Sequence, residues 1–224
     1  MATQRQLIYT TRTILRNGSI IDDDKLTDRQ IAFIHDSIRA LLLRRQYDKG
    51  QSLSDNHIQH LQCLPLEAVE TSFIPGLSLD CKVYRTSELP SFIESKQKDL
   101  ITNVSPPEFN STGYDLVPYA RLPYATSSKF KLPLATLYNG RIYIINAPYT
   151  TKINVSGVFE TPNDLSEYNN CSGTTCYDWD SDYPLSAHLI DDLIKLSLVE
   201  LQGTLQVPID KVNDSAQSLQ APNQ

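Results

Sequence analysis

The sequence predicts an α+β fold, in which helices at both ends pack as a small bundle around an inserted antiparallel, β-rich and sandwich-like portion. Helical periodicity appears near both ends, strand-like alternation runs from about residue 58 to 160, and the sequence after residue 203 is polar and aperiodic. With 224 residues, the chain is long enough to bury a substantial core. The predicted parts are an N-terminal helical segment (1–57), a β-rich domain (58–182), a C-terminal helix (183–203) and an extended tail (204–224).

The first helix is predicted at residues 4–17, where Asn17-Gly18 supplies a stop signal. Its apolar face consists of Leu7, Ile8, Thr11, Ile14 and Leu15.

The second helix, at about residues 27–48, has the clearest boundaries in the chain. Thr27 can cap its first turn, Gln30 completes a capping box, and Gly50 ends it. Its predicted apolar stripe consists of Ile31, Ile34, Ile38, Leu41 and Leu42.

Four stretches in the middle of the chain are predicted to be strands. The segment LSLDCKVYRT alternates Leu77, Leu79, Cys81 and Val83 with polar residues. LITNV (100–104) and INVSGVFE (153–160) are further strands. In TLYNGRIYII (136–145), the dipeptide Asn139-Gly140 between two apolar runs predicts a hairpin with a type I′ turn.

The last helix is predicted between Pro184 and Gly203. Its wide apolar face predicts packing against more than one neighbour. That face consists of Leu185, Leu189, Leu193 and Leu196, widened by Ile190, Ile194, Leu198 and Leu201. In the polar tail that follows, Val207-Pro208-Ile209 is suited to an extended contact with a neighbouring subunit or an adjacent ring.

Charge and hydropathy argue against several classes of partner. A net charge of −6 argues against general affinity for DNA phosphates or anionic membranes. No apolar run approaches the ~20 residues needed to span a bilayer. The first residues lack the zones of a secretory signal, so folding in a cytoplasm is expected.

The stretch NNCSGTTCYDWDSDYP (169–184) most resembles a chemical site, because Cys171 and Cys176 lie among glycine, serine and acidic residues. Four intervening residues match neither the usual zinc-knuckle spacing nor the redox motif. A loop with two reduced cysteines is favoured, and a Cys171–Cys176 disulfide or a metal site remain as alternatives.

Two other clusters offer metal-ligand chemistry. His57, His60 and Cys63 recur every three residues, with Cys81 as a distant fourth ligand, but surface histidines and a core cysteine are the default interpretation. Asp178, Asp180 and Asp182 have calcium-loop spacing without the glycine and glutamate that normally follow.

Catalytic signatures are missing from the sequence. It contains no P-loop, GxGxxG, GxSxG or HExxH motif, and the adjacent Asp191 and Asp192 point in different directions on a helix. We therefore predict no enzyme activity, no cofactor and no catalytic, cofactor-binding or metal-binding residues.

A family resemblance adds a specific function. The stretches TDRQIAFIHDSIRALLLRRQYDKG, CLPLEAV, VYRTSELPSFI, NGRIYIINAP, INVSGVFETP and DYPLSAHLIDDLIKLSLVEL, with PIDKVND in the tail, together resemble a structural protein of crAss-like bacteriophages. The resemblance covers most of residues 25–214 and points to a ring protein of the neck, between the portal and the tail. None of these stretches is a catalytic motif, so no functional residue is transferred.

The resemblance implies a homo-oligomeric, twelve-fold ring in the virion, assembled in the host cytoplasm. Its implied partners are the portal and other ring or hub proteins. Genomic DNA would pass through without sequence-specific binding, and no membrane is involved. An acidic surface suits a channel through which DNA slides.

Two other classes remain as alternatives. The tyrosines and Trp179 suit a carbohydrate-binding or adhesin β-sandwich, although the flanking helices do not. A metal-dependent hydrolase could be built on His57, His60 and the cysteines.

Overall fold

The computed structural model describes most of the chain and bears out the α+β class. The described residues are 2–15, 26–52, 54–70, 82–96, 100–108, 112–126, 132–147 and 150–204. The predicted stop at Asn17-Gly18, the strand residues Leu77 to Cys81, and residues 205–224 of the predicted tail lie outside them. The helices are α1 (Gln4–Leu15), α2 (Asp28–Asp48), α3 (Leu122–Thr126) and α4 (Ala187–Thr204), with short 3-10 helices at Asp55–His57, Tyr119–Arg121 and Pro162–Glu167.

In the described part of the chain, eight strands form two sheets. They are β1 (Gln59–Pro65), β2 (Glu67–Val69), β3 (Val83–Arg85), β4 (Ile101–Ser105), β5 (Asp115–Leu116), β6 (Leu134–Tyr138), β7 (Arg141–Ile145) and β8 (Lys152–Gly157). One sheet has the order β1-β8-β4 and is antiparallel. The other has the order β2-β3-β7-β6-β5, in which only the short β5–β6 pair is parallel.

The two local predictions with the strongest sequence signals are confirmed. At the start of α2, the Thr27 hydroxyl accepts a hydrogen bond from the Gln30 amide, and the Gln30 side chain accepts one from the Thr27 amide at 2.8 Å. At the β6–β7 hairpin, Asn139 and Gly140 have φ values of +48° and +67°, which the type I′ turn requires.

The sheets pack face to face around one apolar core, as a sandwich does. The three-stranded sheet contributes Leu61, Val104 and Val155, while the five-stranded sheet contributes Ala135 and Ile144. All five side chains are buried, and Phe92 and Phe159 pack together beside them at a ring-centroid distance of 4.5 Å. This core accounts for the alternating apolar positions that predicted strands here.

Helices α1, α2 and α4 pack together on one side of this sandwich, with α2 and α4 antiparallel. The α2–α4 side chains Gln46 and His188 lie 3.5 Å apart at one end. Leu201, near the end of α4, shares a cluster with Leu26 and Ile31 beside the start of α2. A second cluster joins the helices to the β-rich part, so the predicted packing of the terminal helices is observed. Its members include Leu7, Ile38, Leu43, Ile93, Val158 and Leu193.

Several details of the predicted helices are wrong. Ile14 of α1 and Leu196 of α4, both assigned to apolar faces, are 47% and 36% exposed. In α2, Leu41 is 42% exposed, whereas Leu43, outside the predicted stripe, is fully buried because α2 packs against the sandwich as well as against α4. The α4 helix begins at Ala187 rather than at Pro184, and Gly203 lies within its last turn. Within the part of the chain that the structure describes, none of the helices combines the length and hydropathy needed to cross a bilayer.

Candidate functional site

The loop of residues 169–184, which contains Cys171 and Cys176, is held to the sandwich by a disulfide that the sequence analysis did not predict. Cys171 is bonded to Cys63 of β1, across a sequence separation of 108 residues, with a Cα–Cα distance of 5.2 Å. Cys176 is a half-buried free thiol. The interpretation of Cys171 and Cys176 as two reduced cysteines is therefore wrong for Cys171, and they do not pair with each other.

Local geometry explains this pairing. The register of β1 against β8 shifts between Leu61 and Leu64, and Cys63 there has a φ of +57°. Its amide donates to the side-chain oxygen of Asn154 at 2.9 Å, which fixes the bulge. The bulge takes Cys63 out of the regular ladder at the point where the disulfide joins β1 to the loop.

The other half of the disulfide lies in a turn organised by Asn170. The side-chain oxygen of Asn170 accepts from the amides of Ser172 and Thr174, at 2.9 and 3.1 Å. Gly173 has a φ of +87°, which favours glycine at this position. The glycine, serine and threonine residues of this stretch therefore build a turn.

The histidine cluster does not converge on one point. Both ring nitrogens of His57 are engaged, by the Tyr47 hydroxyl at Nδ1 and the Ser186 hydroxyl at Nε2, each at 2.7 Å. His60 is exposed on β1 and contacts Ser156, while Cys63 is in the disulfide. These three side chains do not form a ligand set.

The acidic loop is also locally satisfied. One side-chain oxygen of Asp178 accepts from the amides of Asp180 and Ser181, at 2.8 and 2.7 Å. Hydrogen bonding, first from the Ser181 hydroxyl, lowers the pKa of Asp178. Asp180 pairs with Arg5 at 2.8 Å. Across the residues that the structure describes, no group of three or more His, Cys, Asp or Glu side chains is arranged to hold a metal ion.

Trp179, the aromatic residue that suits the carbohydrate-binding alternative, takes part in the packing of the fold. It is half-buried against the sandwich core and against the cluster around Leu201. Its ring N–H donates to Asn163 at 2.8 Å.

A buried polar junction joins the helices to the sandwich, and Arg39 of α2 is its centre. The guanidinium group is fully buried and donates to the backbone oxygens of Pro184 at 2.9 Å and Phe159 at 2.7 Å. A longer contact of 3.5 Å reaches Gln59, the first residue of β1. One side chain therefore joins the middle of α2 to the start of β1, to the segment before α4 and to the segment after β8.

Asp36, one helical turn before Arg39, completes the junction. Its carboxylate accepts a hydrogen bond from the buried Tyr183 hydroxyl at 2.9 Å. Burial raises the pKa of Asp36 from 3.8 to about 7, against the lowering effects of the Tyr183 hydrogen bond and the Arg39 charge. Because folding raises this pKa, the contribution of Asp36 to stability is greatest below pH 3.8 and is lost as the pH rises through 7.

Two buried histidines have the opposite effect on how stability depends on pH. Burial lowers the pKa values of His35 and His57 from 6.5 to about 4, and the Arg39 charge adds to the effect at His57. His35 Nε2 lies 3.0 Å from the Thr11 hydroxyl of α1. Both imidazoles therefore favour the fold above pH 6.5, and that contribution is lost as the pH falls through 4.

The junction residues escaped prediction, although the sequence contains a signal for them. Ala32, His35, Asp36, Arg39 and Leu43 follow helical spacing on one side of α2, so polar residues occupy the centre of a buried stripe. A buried, hydrogen-bonded network fixes the relative position of its elements, because every partner must be satisfied at once. The arrangement suits a mechanical role in holding the helices on the sandwich.

A groove lies beside this junction on the outer side of α2. It has a volume of about 560 Å³ and is lined on one wall by Phe33, Ser37 and Leu41 of α2. Phe33 is 72% exposed. The other walls include Ile93 and Glu160 from the β-rich part and Glu200 from α4. An apolar surface bounded by polar groups is typical of an interaction site.

Comparison with known proteins places the chain in a family. The family model CrAss_Ring_2, described as phage tail ring protein 2, matches residues 6–220. A search among curated proteins found none that matches the chain. The matched range includes every helix and strand except the first two residues of α1, and it extends beyond α4. Because the match spans most of the chain, this protein belongs to the phage tail ring protein 2 family, as its resemblance to crAss-like phage ring proteins predicted.

Proposed function

We propose that the protein is a ring-forming structural subunit of the neck of a short-tailed phage, where it joins the portal to the tail and lines the DNA channel. The observation that carries this proposal is the family match over residues 6–220. Membership of a phage tail ring family makes the protein a virion component, and a structural role is consistent with that family. Assembly in the host cytoplasm is part of the proposal.

The geometry supports a subunit that transmits mechanical force. Arg39 and the Cys63–Cys171 disulfide connect different parts of the chain at separate points. Each connection spans more than 100 residues of sequence, since Arg39 reaches Phe159 across 120 and the disulfide spans 108. Such connections resist the separation of the helices, the sandwich and the loop when force is transmitted along a tail.

Net charge supports passage of DNA rather than its capture. With a net charge of −6, the chain as a whole repels phosphates at long range, so DNA would pass without binding to the channel wall. The proposed partners are other copies of the chain in a twelve-fold ring, the portal, and adjacent ring or hub proteins.

Mass measurement tests this proposal directly. The purified 25.3 kDa chain would be measured alone and then mixed with the portal of the same phage. We expect a discrete closed oligomer in one or both samples, and twelve copies per portal ring by electron microscopy. A different copy number would correct the symmetry only. A chain that remains monomeric and unbound in both samples would contradict the proposed function.

A further inference from the structure

The groove on α2 exposes apolar side chains where the fold alone gives no reason for them. Phe33 and Leu41, 72% and 42% exposed, are eight residues apart and therefore about two helical turns from each other on the same wall. Ile93 also lines the groove but is itself fully buried, so Phe33 and Leu41 supply the exposed apolar surface. The pattern is that of a groove that receives apolar side chains from elsewhere.

The course of α4 shows which segment begins near this groove. Because α4 runs antiparallel to α2, its last turns lie beside the start of α2. Glu200 lines the groove, and α4 ends four residues later at Thr204. The chain continues for 20 further residues, 205–224, from the end of the groove where Phe33 lies.

The sequence of this continuation matches the groove in length and chemistry. Leu205, Val207, Ile209 and Val212 are apolar, and Pro208 favours an extended backbone. The distance from Phe33 to Leu41 along α2 is about 12 Å, which about four extended residues can cover. Residues 205–212 are neutral overall, because Asp210 precedes Lys211, and the groove also carries both charges, since Arg44 lies 3.8 Å from Glu160. The match therefore rests on length and on apolar side chains. The family match includes this segment, since it reaches residue 220.

We propose that the α2 groove binds residues 205–212 from a neighbouring copy of the chain, an inference that rests on the proposed ring. Helix α4 runs from the C-terminal end of α2 toward its start. To enter the groove of its own chain, the segment would therefore have to reverse direction after Thr204 and run back along α2. A segment from the next copy is not tied to the direction of this α4. In a closed ring each copy gives one segment and receives one, so every groove is filled and weak contacts add up.

A photo-crosslinking experiment identifies the occupant. Full-length protein carrying p-benzoylphenylalanine in place of Ile209 and grown with heavy nitrogen is mixed with unlabelled wild-type chain, assembled on the portal and irradiated. We expect a heavy peptide of residues 205–212 joined to a light peptide containing residues 33–44. Crosslinks confined to heavy–heavy pairs within single chains, crosslinks to another surface, or none in assembled rings would each overturn the inference.

Assembly of variants supplies a second measurement. Phe33→Asp and Leu41→Asp, both at exposed positions, should leave the melting temperature nearly unchanged yet lower the assembled fraction by more than about tenfold. Deletion of residues 205–224 should do the same. Tyr9→Asp, at an equally exposed aromatic residue on α1, is the matched control and should assemble normally. If the wild type assembles and the groove variants assemble equally well, this inference fails while the proposed function stands. If the wild type never assembles, the proposed function itself fails.

Discussion

Removal of the Cys63–Cys171 disulfide should destabilise the protein by an amount set by the loop that it closes. The bond spans 108 residues, and the chain-entropy relation for a loop of that length gives about 4.8 kcal/mol of stabilisation at 25 °C. For a chain of this size, such a loss corresponds to a melting-temperature decrease of roughly 10–19 °C. The variants are Cys63→Ser, Cys171→Ser and the double substitution, all in a Cys176→Ser background so that no alternative disulfide can form with Cys176.

Calorimetry of the oxidised proteins provides the test. Because the three variants remove the same bond, they should melt at similar temperatures, and the double variant should show no further loss. Cys176→Ser alone is the control and should melt close to the wild type. Peptide mapping of the oxidised wild type should show the Cys63 and Cys171 peptides joined. If that linked peptide is missing, or if all three variants melt within about 1 °C of the control, the reasoning is refuted.

The remaining predictions concern the polar junction, the helix bundle and metal content. Arg39→Met should lower the free energy of unfolding in urea by about 3–5 kcal/mol, because it leaves buried carbonyl oxygens and Asp36 without their cation. The exposed control Arg45→Met should change it by less than about 0.5 kcal/mol. Equal effects would contradict a central role for Arg39. Ile38→Asp or Leu193→Asp should each cost several kcal/mol and lower the melting temperature, since both side chains lie in the cluster shared by α2 and α4, and an unchanged melting temperature for both would rule out that shared core. Asp36→Asn should gain stability relative to the wild type as the pH rises from 3.8 to 7, by up to roughly 4 kcal/mol, because only the wild type must ionise a buried carboxyl. The difference in unfolding free energy between the two proteins cancels the opposing effect of His35 and His57. If that difference does not vary with pH, Asp36 titrates normally and the prediction is wrong. Emission analysis of the gently purified protein should find no stoichiometric metal, and one zinc per chain would contradict the prediction.

Sequence alone predicted the features whose causes are local. The Thr27–Gln30 capping box and the Asn139-Gly140 turn depend on residues within four positions of one another. Both can therefore be recognised in the sequence without knowledge of the fold. The alternation in β8 likewise reflects one buried face, and its strand was predicted to within a few residues.

The features that sequence missed depend on distant partners. The helical spacing of His35, Asp36 and Arg39 is a signal for a polar network, but it does not show that the Arg39 guanidinium group bonds the backbone of Phe159 and Pro184. Cys171 was compared with its neighbour Cys176, although its partner is Cys63, which a bulge in β1 presents. Leu41 and Leu43 were assigned to the wrong faces because periodicity cannot show that α2 packs on two surfaces. The groove depends on the same two-sided packing and could not be predicted either.

The order of elements along the chain has a consequence for biosynthesis. Gln59 of β1 pairs with Gly157 of β8, and α1 and α2 must wait for α4, which is the last element of the described chain to leave the ribosome. Such non-local pairing raises contact order and slows folding. The apolar side chains of α1 and α2 that pack against α4 therefore stay uncovered until residues 187–204 emerge. Subunits cut short by premature termination before α4 would lack this cover and should aggregate or be degraded before they can enter a ring.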